Sequence, residues 1–311
     1  MKKLLAAIIA MMALISFASA DGNSFTGDWG ANSIWQSNVA TSNSDTHPGV
    51  FEQHQSNTAI VVGEHNSIFQ SNFADAQNFV AGGAIRQFQN NMLVAVGFGN
   101  DIAQSNYALA ENYGGTIKQV QKNLAVVVGF RNDVEQSNDA WASNLAEDGD
   151  IQQYQRNLGV VVGTNNKMDQ ENDADASIAA AASGSSIFQS QKNMAVELGV
   201  GRRRVHNDLD QRNYAEAYIT IGDSKVDQIA SNLALMIGMG QDSYQRNRQY
   251  ADTPDGSSDI DQFAANNLLM IGHFDEATQI NNQDADGVKV DQNAANLGLL
   301  LSGQRQRGPV A

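Results

Sequence analysis

The stretch Ile117–Ala140, IKQVQKNLAVVVGFRNDVEQSNDA, decides the fold. Ile117, Gln119, Gln121 and Asn123 stand two residues apart. After Gly129 and Asn132 the same spacing resumes at Val134, Gln136, Asn138 and Ala140. A period of two belongs to the β-strand, in which residues i, i+2 and i+4 share a face. The stretch therefore reads as two strand arms, each with amides and branched apolar residues on one face. Gly129-x-x-Asn132 reads as the turn between them, Gly being free to take positive φ and Asn tolerant of it.

Outward from this stretch the pattern repeats. The turn glycine falls at Gly63, Gly97, Gly129, Gly163, Gly199, Gly238 and Gly272, in steps of 34, 32, 34, 36, 39 and 34 residues. The longest step contains an insertion, GRRRV, at 201–205. The first arm, I-x-Q-x-Q-x-N, carries Gln53, Gln55 and Asn57; Gln87, Gln89 and Asn91; Gln119, Gln121 and Asn123; Gln153, Gln155 and Asn157; and Gln189, Gln191 and Asn193. Ala replaces the second Gln in the later copies, which keep Gln228 and Asn232, Gln262 and Asn266, and Gln292 and Asn296. The second arm, N-x-[IV]-x-Q-x-N-x-A, carries Gln36 and Asn38, Gln70 and Asn72, Gln104 and Asn106, Gln136 and Asn138, and Gln170 and Asn172. Gln211 with Asn213 and Gln245 with Asn247 extend it, and its turn residues are Asn66, Asn100, Asn132 and Asn166. Linkers rich in Ala, Asp, Gly and Ser, such as ADAQNFVAGGA and SNLAEDGD, join one unit to the next.

Strand–turn–strand units of fixed period stack at the cross-β spacing of about 4.7–4.8 Å. Gln then lies over Gln and Asn over Asn. A primary amide has two donors and an acceptor, so a column of them can bond up and down the stack and offset the cost of burial. The expected fold is all-β: a repeat β-solenoid of stacked, cross-β-like rungs, seven to eight repeats of about 34 residues over 32–303. The opposite face of arm one is apolar in places, as at Ile60 and Val62, Leu124, Val126 and Val128, or Leu158 and Val162. That pattern fits either two-sided burial within the domain or a sheet surface that packs against another molecule.

The chain opens with MKKLLAAIIAMMALISFASA: Lys2 and Lys3, an apolar run, then small residues at Ala18-Ser19-Ala20. This predicts a secretory signal peptide over 1–20, with Ala18 and Ala20 as the cleavage signature, and a short segment over 21–31 ahead of the repeats. A tail over 304–311 follows them. No later run of about 18 apolar residues occurs, so no other helical span is expected. The formal charge is -15, and about -17 without Lys2 and Lys3. That acidity argues against nucleic-acid binding. With no Cys there is no disulfide, and the three Pro lie outside the arms, as a strand-rich chain requires.

The five His, at 47, 54, 65, 206 and 273, match no metal-ligand spacing. Asp148-Gly149-Asp150 and Asp284-Ala285-Asp286 read as solvated turns, and Arg202-Arg203-Arg204 as a solvated loop or an anion-facing one. No nucleophile elbow, Walker loop or H-E-x-x-H is present, so no enzyme, cofactor or metal is expected.

G-x-x-N between strand arms with in-phase Gln, Asn and Ala resembles the repeats of curlin, the curli amyloid subunit. The run N-x-x-V-x-V-G-x-x-N-x-x-x-Q-x-N-x-A resembles those of Fap-type functional amyloid subunits still more. The likeness spans roughly 32–303, without the Cys-x-x-Cys of Fap fibre subunits and with a longer Gly-to-Gln gap. It implies a secreted subunit, major, minor or nucleating, of an extracellular fibre at the surface of a Gram-negative-type bacterium, contributing to biofilm matrix and adhesion. Its implied partners are further copies of itself, other fibre subunits, and the chaperones and outer-membrane apparatus that export it after Sec passage through the periplasm. Atypical capping units are missing from the ends of the repeat array, so end-to-end polymerisation is expected. The alternative is a monomeric secreted β-solenoid acting as a surface or carbohydrate adhesin. Its aromatic residues, among them Trp35, Phe69, Phe73, Phe88, Tyr107 and Trp141, do not read as one column.

Overall fold

The computed structural model describes residues 23–26, 33–45, 49–145, 149–179, 184–199, 206–220, 224–253, 258–273 and 276–302. The expected signal segment with Ala18 and Ala20, the insertion with Arg202–Arg204, and the tail 304–311 lie outside the described residues.

The described chain forms seventeen strands and no helix. In order they are β1 Asn23–Thr26, β2 Ser33–Ser44, β3 Val50–Glu64, β4 Ser67–Asn78, β5 Gly83–Phe98, β6 Asp101–Asn112, β7 Gly115–Phe130, β8 Asp133–Asn144 and β9 Gly149–Thr164. Then come β10 Lys167–Ile178, β11 Ser185–Gly199, β12 Asn207–Ile219, β13 Ser224–Met239, β14 Gln241–Asp252, β15 Asp259–His273, β16 Glu276–Asp286 and β17 Lys289–Ser302. Odd strands form one nine-stranded sheet and even strands one eight-stranded sheet. Consecutive arms alternate between sheets, so each arm is the crossover between two parallel neighbours of the other sheet. The result is a parallel β-solenoid of about seven turns of ~34 residues.

The register is residue-for-residue. Gln119, Gln121 and Asn123 of β7 pair with Gln153, Gln155 and Asn157 of β9, and Gln136 and Asn138 of β8 pair with Gln170 and Asn172 of β10. The irregular steps do not disturb it: Gln153 pairs with Gln189, and Gln189 with Gln228. The extra residues lie outside the paired strands.

Alternation of buried and exposed positions runs along nearly every strand, as in β6 and β9. The two inward faces enclose two apolar clusters. One, near the Gly-x-x-Asn bend, contains Ala125, Val127 and Val134. The other, near the opposite bend, contains Ile117 and Ala142. Amide side chains fill the space between them.

Three expectations need correction. The Ala/Asp-rich linkers are shorter than the sequence suggested, because the second arm continues through ADAQN to Asn78 in β4 and through equivalent residues to Asn112 and Asn144 in β6 and β8. Their alternation was masked by small side chains, the buried positions being the alanines Ala74 and Ala76. Asp150, Asp284 and Asp286 accordingly lie in strands, not turns. The turn glycines take positive φ as expected, Gly63, Gly97, Gly129 and Gly163 having φ of 154°, 155°, 152° and 146°, but the second positive-φ position is the residue before the Asn and not the Asn itself: His65, Gly99, Arg131 and Asn165 have φ of 54°, 65°, 56° and 56°, and the Asn is released for bonding. The glycine is nevertheless demanded. Gly129 has φ 152°, and a Cβ there would lie 1.6 Å from the carbonyl oxygen of Gly97 in the turn before. Gly199, whose bend carries the insertion, has no positive φ among these values.

Candidate functional site

The amide columns are the distinctive chemistry of the interior. In β7, Gln119 donates through Nε2 to Gln87 Oε1 at 3.0 Å, and Gln121 to Gln89 Oε1 at 2.9 Å. The Gln119 column is continuous: Gln87 donates to Gln53, Gln153 to Gln119, Gln189 to Gln153, Gln228 to Gln189, Gln262 to Gln228 and Gln292 to Gln262, all at 2.8–3.0 Å. The second sheet has its own, from Gln70 onto Gln36 at 2.7 Å through to Gln279 onto Gln245 at 2.8 Å.

These amides also tie the sheets together. Gln121 Nε2 donates to the Asp139 carbonyl at 2.6 Å and Gln119 Nε2 to the Trp141 carbonyl at 2.9 Å. The sequence argument foresaw bonding along the stack; the bonding across it appears only in three dimensions. The two Asn columns merge. Asn123 Nδ2 donates to Asn138 Oδ1 at 3.1 Å and to Asn157 Oδ1 at 3.0 Å, while Asn138 Nδ2 donates to Asn157 and Asn172 Oδ1, both at 2.9 Å. The zigzag continues to Asn296, onto which Asn266 donates at 3.0 Å. The Gln columns donate toward the N-terminal turn, and the Asn zigzag donates toward the C-terminal one. The stack is therefore polar at the level of single hydrogen bonds.

The expected ladder residues are buried from Gln53 to Asn266, with Gln36 buried and Asn38 half-buried at one end. Gln292 and Asn296 are in the ladder but exposed, since β17 is the last strand of its sheet. Among the turn residues, Asn66, Asn100, Asn132 and Asn166 form a column of their own, with Asn66 Nδ2 donating to Asn100 Oδ1 at 2.8 Å and Asn100 Nδ2 to Asn132 Oδ1 at 3.0 Å. Asn207 takes over this position after the insertion, accepting from the Asn166 backbone N–H at 3.1 Å.

Further ladder members went unread in the sequence. Asn78 donates to Asn112 at 2.8 Å at the opposite bend, where Asn144 also accepts from the Gly114 backbone N–H at 2.9 Å. Gln279 and Asn281 follow Gln245 and Asn247 in phase, and extending the 34-residue step once more would have found them. Gln249 and Gln283 are more instructive. Where Ala replaces the second Gln of arm one, at 230 and 264, Gln replaces the Ala of arm two, at 249 and 283: Ala215 pairs with Gln249, and Gln249 with Gln283. Gln283 Nε2 donates to Gln249 Oε1 at 2.8 Å, so the column changes sheets. At the changeover the buried Gln191 Oε1 has no partner.

Two acidic features stand apart. Glu197 occupies the inward column between Val161 and Met236 and is fully buried, with no partner for either carboxylate oxygen. Burial pushes its carboxyl well above the usual range, and Asp208 adds to the effect. On the outer face of the eight-stranded sheet, Asp139 and Asp173 are register partners. Desolvation, followed by repulsion from Asp139, Glu171, Glu216 and Asp175, raises Asp173 to about 6. Aromatic side chains stack only in short columns: Trp35 lies 4.9 Å from Phe69, and Phe73 lies 5.3 Å from Tyr107, centroid to centroid. Among the described residues no group of three or more His, Cys, Asp or Glu is placed to hold a metal ion.

The two ends of the solenoid differ. At the first turn β1 pairs with β3 over Thr58–Val61, and Ile34 and Gln36 of β2 are buried. At the last turn β17 is exposed along its described length except at half-buried Val290, and β16 is exposed or half-buried. Leu300 points inward in register with buried Met270, yet is 51 % exposed. No family model matches the chain, and neither a curated protein nor a solved structure matches it.

Proposed function

We propose that this protein is a structural subunit of an extracellular functional amyloid fibre, assembled by stacking of its amide-laddered turns and contributing to biofilm matrix and adhesion. The observation that carries this reading is the last turn, which nothing among the described residues covers. Its strand edges present unpaired backbone groups, its inward Leu300 is half exposed, and its Gln279 and Gln292 stand where every earlier Gln of their own two columns accepts from the next turn. Another copy offering Gln and Asn in the same phase satisfies all three at once. The curlin-like and Fap-like repeat pattern and the signal-like N-terminal segment support export to the cell surface. A soluble adhesin would need a ligand face, and the aromatic pairs are too short-ranged to make one.

Fibre diffraction and electron microscopy of the purified chain, freed of its signal segment, test the reading. Unbranched fibres with meridional and equatorial spacings of about 4.7 and 10 Å are expected. A chain that stays monomeric for days at high concentration refutes it.

A further inference from the structure

The outer face of the nine-stranded sheet carries a second organised surface. On β7 the outward residues next to the bend are Leu124, Val126 and Val128, and they pair with Leu158, Val160 and Val162 on β9. The register carries these three columns from β3 to β17. Thr58 and Asn267 are their only polar members, and none is charged. Nothing among the described residues covers them. Most are half-buried by their own neighbours alone, and Leu233 and Leu297 are 40 % and 65 % exposed. Of the two readings open from sequence, two-sided burial within the domain finds no covering element among the described residues.

From strand spacing and rise the strip measures about 700 Å², larger than the apolar patch of an ordinary soluble monomer. Two such strips face to face would bury about 1,400 Å², the size of a standard specific interface. Three facts select the occupant. The rows repeat at the strand spacing, so only another in-register stack can interdigitate with every row. The strip is bordered by exposed Lys122, Arg156 and Lys192, which would form a solvated rim. The other sheet's outer face is unsuitable, because its columns carry acidic side chains at Asp139, Asp173 and Asp175 that already repel one another.

We infer that the apolar outer strip of the nine-stranded sheet is a face on which two copies of this chain pack, sheet against sheet, through the same residues. The pairing does not depend on end-to-end growth. A single chain has the whole strip, and a stack of chains would merely extend it into a double-layered filament.

The test uses the chain freed of its signal segment, as wild type and as the double variant Val126→Lys/Val160→Lys, whose side chains point outward. Wild type is expected to sediment as a dimer, or to form filaments two solenoids thick in cryo-EM cross-section. The variant is expected as a monomer, or as filaments one solenoid thick, with unchanged circular dichroism. Because the chain contains no Cys, Val126→Cys gives a single thiol with little perturbation. A short bis-maleimide should join two copies of it, and should not join Glu135→Cys on the opposite face. Wild-type monomers or single-solenoid filaments, or equal cross-linking of both thiols, would overturn the inference. So would monomeric wild type that floats with phosphatidylcholine vesicles and loses this on V126K/V160K, which would make lipid the occupant. Single-solenoid filaments leave the polymer reading standing, whereas dimers that never form filaments leave only the pairing.

Discussion

The sheet exchange of the second Gln column supports a double-mutant cycle at Ala230 and Gln249. Gln249→Ala removes the bond accepted from Gln283 at 2.8 Å and the one donated to the Phe263 carbonyl at 3.0 Å, and opens a void. It should cost about 3 kcal/mol. Ala230→Gln alone forces an amide into a fully buried site already faced by Gln249, and overpacking should cost about 2 kcal/mol. The double variant moves the changeover by one turn. A Gln at 230 is placed to donate to the orphaned Gln191 Oε1, while half-buried Gln283 loses an acceptor that water can replace. Its net effect should be within about 1 kcal/mol of wild type, giving a coupling energy of roughly 4 kcal/mol. Guanidinium unfolding of freshly prepared, unassembled chain, followed by far-UV circular dichroism, measures all three. A double variant as unstable as the sum of its parts would refute the idea that the two positions share one column.

Gly129→Ala should cost roughly 3 kcal/mol or more, because its Cβ meets the Gly97 carbonyl oxygen at 1.6 Å. Gly82→Ala, with φ 85° but open space around it, should cost only about 1 kcal/mol, the price of left-handed backbone alone; equal melting temperatures for the two variants would argue against the close-packed bend. Glu197→Val restores the residue type of Val127 and Val161 in the same column and should stabilise the chain at neutral pH by about 2 kcal/mol or more, read by denaturant midpoint. Carboxyls with raised folded-state pKa bind protons more tightly when folded, so their stabilising protonation is complete at acid pH and lost as pH rises. For Asp173 the window runs from 3.8 to about 6, and Asp173→Asn should flatten the stability–pH curve there; an unchanged curve excludes this acidic column as its source. Removing one in-phase unit, 117–150, should leave a cooperative solenoid with a slightly lower denaturant midpoint, since Thr116 and Ile117 stand in register with Asp150 and Ile151. Global unfolding of that deletion would contradict an array of near-equivalent turns.

How much of this was legible from the residues follows from what each feature depends on. Strand identity, the in-register stacking and the inward amides depend on local spacing, and local spacing is in the sequence: Gln119, Gln121 and Asn123 could share a face only in a strand. Two-sheet bonding was not legible, because the Gln121–Asp139 contact depends on which arm faces which. The left-handed residue before the turn Asn was hidden because His65, Arg131 and Asn165 do not advertise positive φ as Gly99 does. The short β1 was missed because four residues carry no periodicity.

The amide core also answers a question that an apolar core would leave open. Parallel sheets of Val and Ala alone could slip by two residues and still bury the same kind of side chain. Here a slip of two would set Asn123 against Gln155 and Gln119 against Ile151, breaking the zigzag that ties Asn123, Asn138 and Asn157 into one network. A buried donor left without its acceptor costs about 1–3 kcal/mol, and a slipped turn would leave several. The polar interior therefore contributes chiefly by fixing register. The same rule that holds each turn over the last within one chain would hold the first turn of a second chain over the last turn of the first.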